Sequence, residues 1–281
     1  MTSRLLGMDD SRPPAVLSIA GSDSGGGAGI QADLKAFARC GVHGMTAITA
    51  ITAQNTVGVE AVEGVRPEMI LSQIGAVVED IGVDAVKVGM LGTAQAIEGV
   101  VAALALMVEA PVVVDPVMVA ESGAPLLDPD AQEALVVRLL PMATVATPNI
   151  PEARALTGAG DDASQEDLAR EMLALGPRAV VVTGGHSDRL VDLFWDGQEA
   201  VEIVGERHPD GASHGSGCTH SSALAAYLAH GLGPLEAARR ARQVASAAVA
   251  AGLRGIGKGA GPVDALEIAT SGPLDRFRRD G

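Results

Sequence analysis

The chain has 281 residues and a formal net charge of −15, and 47% of its residues are hydrophobic but only 2% are aromatic. This length suits one large domain or two ordinary ones. The acidic charge argues against broad binding to phosphate backbones, and the scarcity of aromatic rings argues against stacking on bases, so no nucleic-acid partner is expected. The longest apolar run, Val100–Val108, is too short to cross a bilayer, so no membrane partner is expected.

The cysteines and the amino terminus suggest the compartment. The two cysteines are Cys40 and Cys218, and a single disulfide would be unusual in a chain of this size. Residues 1–14 carry acidic residues and prolines but no apolar stretch of the signal-peptide type. We expect them to form a flexible tail before a single domain at residues 15–281. These features favour a cytoplasmic protein.

Short β-branched runs alternate with longer amphipathic runs along the chain. The β-branched runs predict strands at Ala15–Ala20, Met45–Ala53, Ala85–Val88, Val112–Asp115, Thr144–Thr147 and Ala179–Thr183. The amphipathic runs predict helices at Ile30–Cys40, Pro67–Ile81, Thr93–Glu109, Asp130–Leu140, Ser164–Leu175, Thr219–His230, Pro234–Ala251 and Val263–Thr270. This alternation predicts an α/β fold with a mostly parallel central sheet and helices on both faces.

One segment departs from the alternation. Leu190–Trp195 and Ala200–Val204 flank Asp196-Gly197, which is typical of a β-hairpin. A small antiparallel portion is therefore expected at one end of the sheet. Polar residues and glycines follow the predicted strands at Gly21, Gln54, Gly89-Met90, Asp115, Asn149 and Gly184-Gly185. Ligands of parallel sheets bind beyond the carboxyl ends of the strands, so this placement favours a ligand site there.

The segment His214–Thr219 stands where a loop becomes an alanine-rich helix. Unpaired backbone N–H groups and the helix dipole attract anions at such a position, and glycine lets a phosphate approach the backbone. The same position is expected to lower the pKa of the Cys218 thiol, so that it could serve as a base in phosphoryl transfer. The alternative is a glycine turn that caps the helix, with Cys218 as a small buried hydrophobe.

The other candidates each have a structural alternative. Gly21–Gly29 lacks the lysine of a Walker A loop and does not fit G-x-G-x-x-G, which disfavours a dinucleotide-dependent dehydrogenase; it either closes over a small ligand or is a flexible turn. Asp33 faces the ligand or stabilises the start of its helix. Gln54 offers a donor and an acceptor to a heteroaromatic ring or is a surface amide. Lys87 lies in an apolar strand, where burial is costly without a partner.

Asn149 and Glu152 are spaced to share one face of a helix. Their oxygens could hold Mg²⁺ through waters near phosphates. The alternative is an asparagine N-cap with an acid in the first turn.

Segments spread along the chain form a specific combination. They are Ile19–Lys35, Thr49–Thr56, Lys87–Leu91, Asp115–Ala120, Thr147–Ala153, Gly184–His186, His214–Thr219 and Gly257–Pro262. Together they closely resemble the hydroxymethylpyrimidine/phosphomethylpyrimidine kinases of thiamine biosynthesis, in the ribokinase-like superfamily. The resemblance extends from about Ala15 to Ile268.

The resemblance implies transfer of the ATP γ-phosphoryl group to 4-amino-5-hydroxymethyl-2-methylpyrimidine and then to its monophosphate, with ATP and Mg²⁺ as cofactors and a homodimer as the suggested assembly. The residues that it implies for substrate binding are Gly21, Asp33, Gln54, Met90 and Val117. Those implied for ATP and Mg²⁺-phosphate are Asn149, Glu152, Thr183 and Gly185, with Glu152 on the metal through water. Gly215, Ser216 and Gly217 would form the anion hole, and Cys218 would be catalytic.

Three positions depart from the family pattern. Glu121 and Thr183 stand where lysines are frequent, and Ala260 stands where histidine is frequent. Losing two cations beside a polyanion site puts the second phosphorylation in doubt. A pyridoxal kinase on the same scaffold is the nearest alternative, and a non-catalytic pyrimidine-binding or regulatory protein is the alternative of another class.

Overall fold

The computed structural model describes residues 12–185, 190–209 and 211–269. The strands are β1 (Ala15–Asp23), β2 (His43–Gln54), β3 (Val59–Gly64), β4 (Ala85–Val88), β5 (Val112–Val114), β6 (Val145–Ala146), β7 (Val180–Val182), β8 (Val191–Trp195) and β9 (Ala200–Val204). The α-helices are α1 (Gly29–Arg39), α2 (Pro67–Asp80), α3 (Ala94–Leu104), α4 (Pro129–Ala134), α5 (Ile150–Thr157), α6 (Gln165–Ala174), α7 (Ser216–Ala229) and α8 (Pro234–Ala250). A π turn at Leu135–Leu139 and a 3₁₀ turn at Leu140–Met142 continue α4.

One sheet runs in the order β3-β2-β1-β4-β5-β6-β7-β8-β9. The pairs from β2 through β7 are parallel, which confirms the predicted α/β fold with a mostly parallel sheet. The predicted hairpin is present as β8 and β9, but antiparallel strands occur at both edges, because β3 also pairs antiparallel with β2. No apolar pattern marks β3 in the sequence, since most of its side chains are exposed.

Alternate side chains of each central strand enter two separate hydrophobic cores. Val112 and Val114 point to one face of the sheet, towards apolar side chains of α2, α3 and α6, and Val113 points to the other, towards α1, α7 and α8. The period of two residues in a strand therefore gives the sheet a helical layer on each face. This burial on both faces explains why the predicted strands are nearly continuous runs of valine and alanine.

Most predicted helices are present with shifted ends. The Thr93 hydroxyl caps α3 by accepting a hydrogen bond from the Ala96 N–H at 3.2 Å, although α3 ends at Leu104 rather than Glu109. The helix predicted at Val263–Thr270 is wrong over residues 263–269, which form turns, and residue 270 lies outside the described residues. Of the predicted tail, residues 1–11 also lie outside them. No helix in the described part of the chain is long and apolar enough to cross a membrane.

The strand order creates a reversal beside β1. The chain passes from β1 to β2 on one side and later returns to β4 on the other side. In open α/β sheets, a crevice forms at the carboxyl ends of the strands where the order reverses. The fold therefore places the ends of β1, β2 and β4 at one crevice, with the start of α7 beside them.

Candidate active site

A cleft with a cavity volume of about 200 Å³ lies at the carboxyl ends of the parallel strands. The predicted site residues that line it are Gly21, Gln54, Met90, Val117, Asn149, Glu152, Thr183, Gly215, Ser216, Gly217 and Cys218. These residues come from different strand ends and from the first turn of α7, so the fold brings together positions far apart in the sequence. Their individual roles stay predictions.

Asp33 is not among the residues that line the cleft, and its contact with the substrate stays a prediction. Its carboxylate is completely buried and accepts hydrogen bonds from Ser18 (2.6 Å), Ser222 (2.7 Å) and Lys87 (2.9 Å). The buried lysine needs a counter-charge, and Asp33 supplies it. Asp33 therefore lies below the cleft, and Lys87 has the partner that its burial requires.

The loop after β7 carries the predicted Gly185, which is exposed and does not line the cleft. Its neighbour Gly184 is buried, and the Gly184 N–H donates to the Asp192 carboxylate at 2.9 Å. Of the described residues of this loop, only Thr183 borders the cleft. His186, the last residue of the motif in this loop, lies outside the described residues.

The turn before α7 has the geometry that the glycine pattern predicts. Gly215 is the N-cap of α7 with φ 85°, and a Cβ atom there would collide with the carbonyl oxygen of Gly27. Gly217 faces open space, because a Cβ atom built on it meets no atom within 4 Å. The N–H groups of a first helical turn have no intrahelical acceptor, so those of Gly217 and Cys218 are placed to bind an anion.

Cys218 is the third residue of α7 and is half-buried in the cleft wall. Burial is the largest cause and raises the pKa of its thiol to about 12; the charge of Lys87 opposes this rise, and the charges of Asp33 and Asp115 add to it. The expectation of a lowered pKa is therefore wrong for the ligand-free protein. The loss of water around the thiol outweighs its proximity to the helix N-terminus. The thiol is protonated at neutral pH.

Asn149 and Glu152 form a capping box at the start of α5. The Asn149 side chain accepts from the Glu152 N–H at 2.8 Å, and the Glu152 carboxylate accepts from the Asn149 N–H at 2.9 Å. Burial raises the pKa of Glu152 to about 8, and the charge of Asp115 adds to this rise. The capping alternative is thus present, yet both residues also line the cleft. Within the described residues, no three His, Cys, Asp or Glu side chains are grouped to hold a metal directly.

A bridge across the mouth of the cleft was not assigned a role from the sequence. The His214 ring lies 3.2 Å from Asp23 through Nε2 and 3.1 Å from Glu121 through Nδ1. Asp23 also accepts from the N–H groups of Gly25, Gly27 and Ala28, which fixes the glycine-rich loop. The signal available in the sequence was a histidine directly before the glycine turn and an aspartate within the first loop.

This bridge offsets the charge of Glu121 at the position where the family pattern favours lysine. Hydrogen bonds to Asp23 and then to Glu121 raise the pKa of His214 to about 9, so the ring is cationic at neutral pH. Burial raises the pKa of Asp23, but the hydrogen bonds from His214 and the loop amides leave it lowered overall. The cleft mouth therefore holds one cation between two carboxylates.

The bridge predicts how stability depends on pH. The pKa of His214 rises from 6.5 to about 9 in the folded protein, so its stabilisation is complete below about 6.5 and is lost as the pH rises through about 9. Between about pH 6.5 and about pH 9, we expect the free energy of unfolding to fall in the wild type. The fall should exceed that in His214→Gln by on the order of 1–3 kcal/mol. Urea denaturation of both proteins at several pH values measures the difference. Parallel pH profiles would contradict it.

The chain matches known proteins over most of its length. A family model described as phosphomethylpyrimidine kinase matches residues 23–264. A hydroxymethylpyrimidine/phosphomethylpyrimidine kinase of Rhizobium meliloti is 49% identical over 253 residues, which are 88% of this chain and 95% of that protein.

Two solved structures extend the comparison. A phosphomethylpyrimidine kinase of Clostridium difficile is 44% identical with a TM-score of 0.73, covering 82% of this chain and 96% of that one. A Bacillus subtilis pyridoxal kinase in an ADP complex is 36% identical with a TM-score of 0.84, covering 92% of this chain and 100% of that one. The chain belongs to the phosphomethylpyrimidine kinase family, and its fold is the ribokinase-like α/β fold.

Proposed function

We propose that the protein phosphorylates 4-amino-5-hydroxymethyl-2-methylpyrimidine with ATP and then phosphorylates the monophosphate in thiamine biosynthesis. The observation that carries the proposal is the meeting of Cys218 with the Gly215–Gly217 turn at one cleft, in a chain of this kinase family. The relatives at 44–49% identity carry names for this chemistry. A cytoplasmic location and a homodimer belong to the same proposal, and light scattering of the purified protein tests the dimer.

The proposed reaction is phosphoryl transfer from ATP, bound at the turn before α7, to the acceptor, bound at the opposite end of the cleft. The hydroxymethyl oxygen attacks the γ-phosphorus in line; the new O–P bond forms as the bond to the ADP oxygen breaks. The amides of the Gly217 turn bind the oxygens of the migrating group, where negative charge must be stabilised. The thiol of Cys218 must first lose its own proton to act as the base. As the thiolate it then accepts the hydroxyl proton late, because a primary alcohol is too weak an acid to ionise first. The product is the phosphate ester, with ADP released.

The acceptor end is formed by Gly21, Gln54, Met90 and Val117. Gln54 carries a donor and an acceptor that suit a substituted aza-aromatic ring, and Met90 and Val117 supply apolar walls. We assign to these residues the binding of the pyrimidine. Asp33 lies below this end, where it is paired with Lys87.

The residues also fit Mg²⁺. Asn149 and Glu152 provide oxygen donors at the cleft, and they would hold the ion through water, since the capping box already uses one oxygen of each. When bound with ATP, Mg²⁺ neutralises charge on the phosphates. Thr183 lies beside these residues and can donate a hydrogen bond to a phosphate oxygen.

A pyridoxal kinase is the second candidate, because pyridoxal kinases of known structure align with TM-scores of 0.84 and 0.81. The deciding experiment offers ATP with the pyrimidine alcohol, its monophosphate or pyridoxal, and identifies products by mass. We expect the highest kcat/KM with the pyrimidine alcohol. Faster turnover of pyridoxal would favour the second candidate, and no ATP turnover with any acceptor would favour a non-catalytic protein.

The same assay tests the second phosphorylation. Glu121 contributes a negative charge at the mouth of the cleft, and we expect Glu121→Lys to lower KM for the monophosphate more than KM for the unphosphorylated alcohol. Glu121→Gln is the control for loss of charge alone. Equal changes for both acceptors would show that Glu121 does not act on the phosphate of the substrate.

A further inference from the structure

Lys87 is a completely buried cation in β4, in the wall of the cleft. Its Nζ donates to both Asp33 oxygens, at 2.9 and 3.1 Å, and lies 4.0 Å from Oδ2 of Asp115. Lys87, Asp115 and Cys218 all line the cleft. A charged pair fully removed from water acts strongly on its neighbours, because solvent does not screen it.

Two hydrogen bonds join the charged cluster of Lys87, Asp33 and Asp115 to α7, the helix that carries the Cys218 thiol. Ser221 donates to Asp115 at 2.9 Å and Ser222 donates to Asp33 at 2.7 Å. These serines follow Cys218 by three and four residues, so all three side chains lie on the same face of α7. The two hydrogen bonds hold that face of α7 against the buried charges, which fixes the thiol relative to Lys87 and Asp115.

The charges around Cys218 oppose one another. Lys87 from β4 favours the thiolate, and so does the Gly29 N–H at the start of α1; Asp33 from α1 and Asp115 from the end of β5 oppose it. Burial works against the charge of Lys87, but its carboxylate neighbours raise its pKa, so it stays cationic. Burial opposes the thiolate most strongly, and of these three charged neighbours Lys87 alone favours it.

We propose that Lys87 and Asp115 are positioning residues that control, in opposite directions, how readily Cys218 loses its proton. The positive charge of Lys87 favours the thiolate of Cys218, and the negative charge of Asp115 opposes it. The link to catalysis rests on the proposed role of Cys218, but the effect on the thiol itself does not. Neither residue needs to touch the substrate for this role.

The test measures the thiol directly in the ligand-free protein. Iodoacetamide alkylation of Cys218 is followed by peptide mass spectrometry in a Cys40→Ser background, at several pH values around about 9, where the rate follows the thiolate fraction. We expect Lys87→Met to slow alkylation about tenfold and Asp115→Asn to speed it about tenfold, which corresponds to about one pKa unit each way. Lys87→Arg, which keeps the charge, should restore most of the lost rate.

Further measurements separate the proposal from its alternatives. Thiolate absorbance in the ultraviolet must shift in the same directions, which excludes a change of reagent access alone. If Lys87→Met does not fold, Asp115→Asn decides, since it keeps the shape of the side chain. Rates that are unchanged, or that move in the same direction in both variants, would overturn the proposal. If the shifts appear but Cys218→Ala keeps its kcat, the electrostatic inference stands and the proposed base is wrong.

Discussion

Cys218→Ala is expected to lower kcat with the pyrimidine alcohol by about 10²–10⁴-fold, the usual contribution of a well-placed base. KM for ATP should change little, because the backbone amides of the Gly215–Gly217 turn remain in place. The side chain is half-buried and small, so its loss should leave the fold intact. Steady-state kinetics with both substrates varied, together with a thermal melt, make the measurement.

The matched control is Cys40→Ala, which removes the other cysteine, away from the cleft lining. It should keep wild-type kcat. Cys218→Ser separates a proton acceptor from a space filler, since the hydroxyl is similar in size but is a far weaker acid. A kcat of Cys218→Ala equal to that of the wild type would remove the thiol from the mechanism and leave the anion hole as the main source of catalysis.

Gly217→Val is expected to weaken ATP binding by at least about tenfold and to lower kcat, while the melting temperature stays near that of the wild type. The reason is that a Cβ atom at Gly217 meets no protein atom within 4 Å, so the added side chain fills only the space proposed for phosphate. Amides that bind a phosphate need close approach, which a branched side chain prevents. Calorimetric titration with a non-hydrolysable ATP analogue measures the loss.

Gly215→Ala is the contrasting variant. Its φ of 85° is unfavourable for alanine, and its methyl group would collide with the Gly27 carbonyl oxygen. We expect a loss of about 1–3 kcal/mol of stability in addition to lost activity. Gly217→Val thus tests the open space proposed for phosphate, and Gly215→Ala tests the backbone conformation of the turn. Normal ATP affinity in Gly217→Val would show that the terminal phosphate binds elsewhere.

Sequence periodicity predicts the central sheet well because its strands are buried on both faces. The positions after these strands also predict the cleft, since parallel strands end at one edge. The edge strand β3 and the turns at residues 263–269 are missed for the opposite reason: their stability comes from pairing and packing with distant segments, such as β2, rather than from a local pattern.

The charge state of the site is harder to predict than its location. The helix start at Cys218 indicates a lowered pKa, but burial of the thiol by the tertiary fold reverses the direction, and the carboxylates of Asp33 and Asp115, which come from other elements, add to the rise. Asp33 illustrates the same limit, because its pairing with Lys87 across 54 positions depends on the tertiary fold. Electrostatics at a buried site depends on neighbours that no short motif contains.

The residues proposed for phosphate binding and those proposed for acceptor binding come from separate parts of the fold. The proposed phosphate end is built on α7 and is anchored through Ser221 and Ser222, whereas Gln54 and Met90 lie at the ends of other elements. Replacing a few side chains at the acceptor end could therefore change which alcohol the enzyme accepts, while the residues proposed for phosphoryl transfer stay the same.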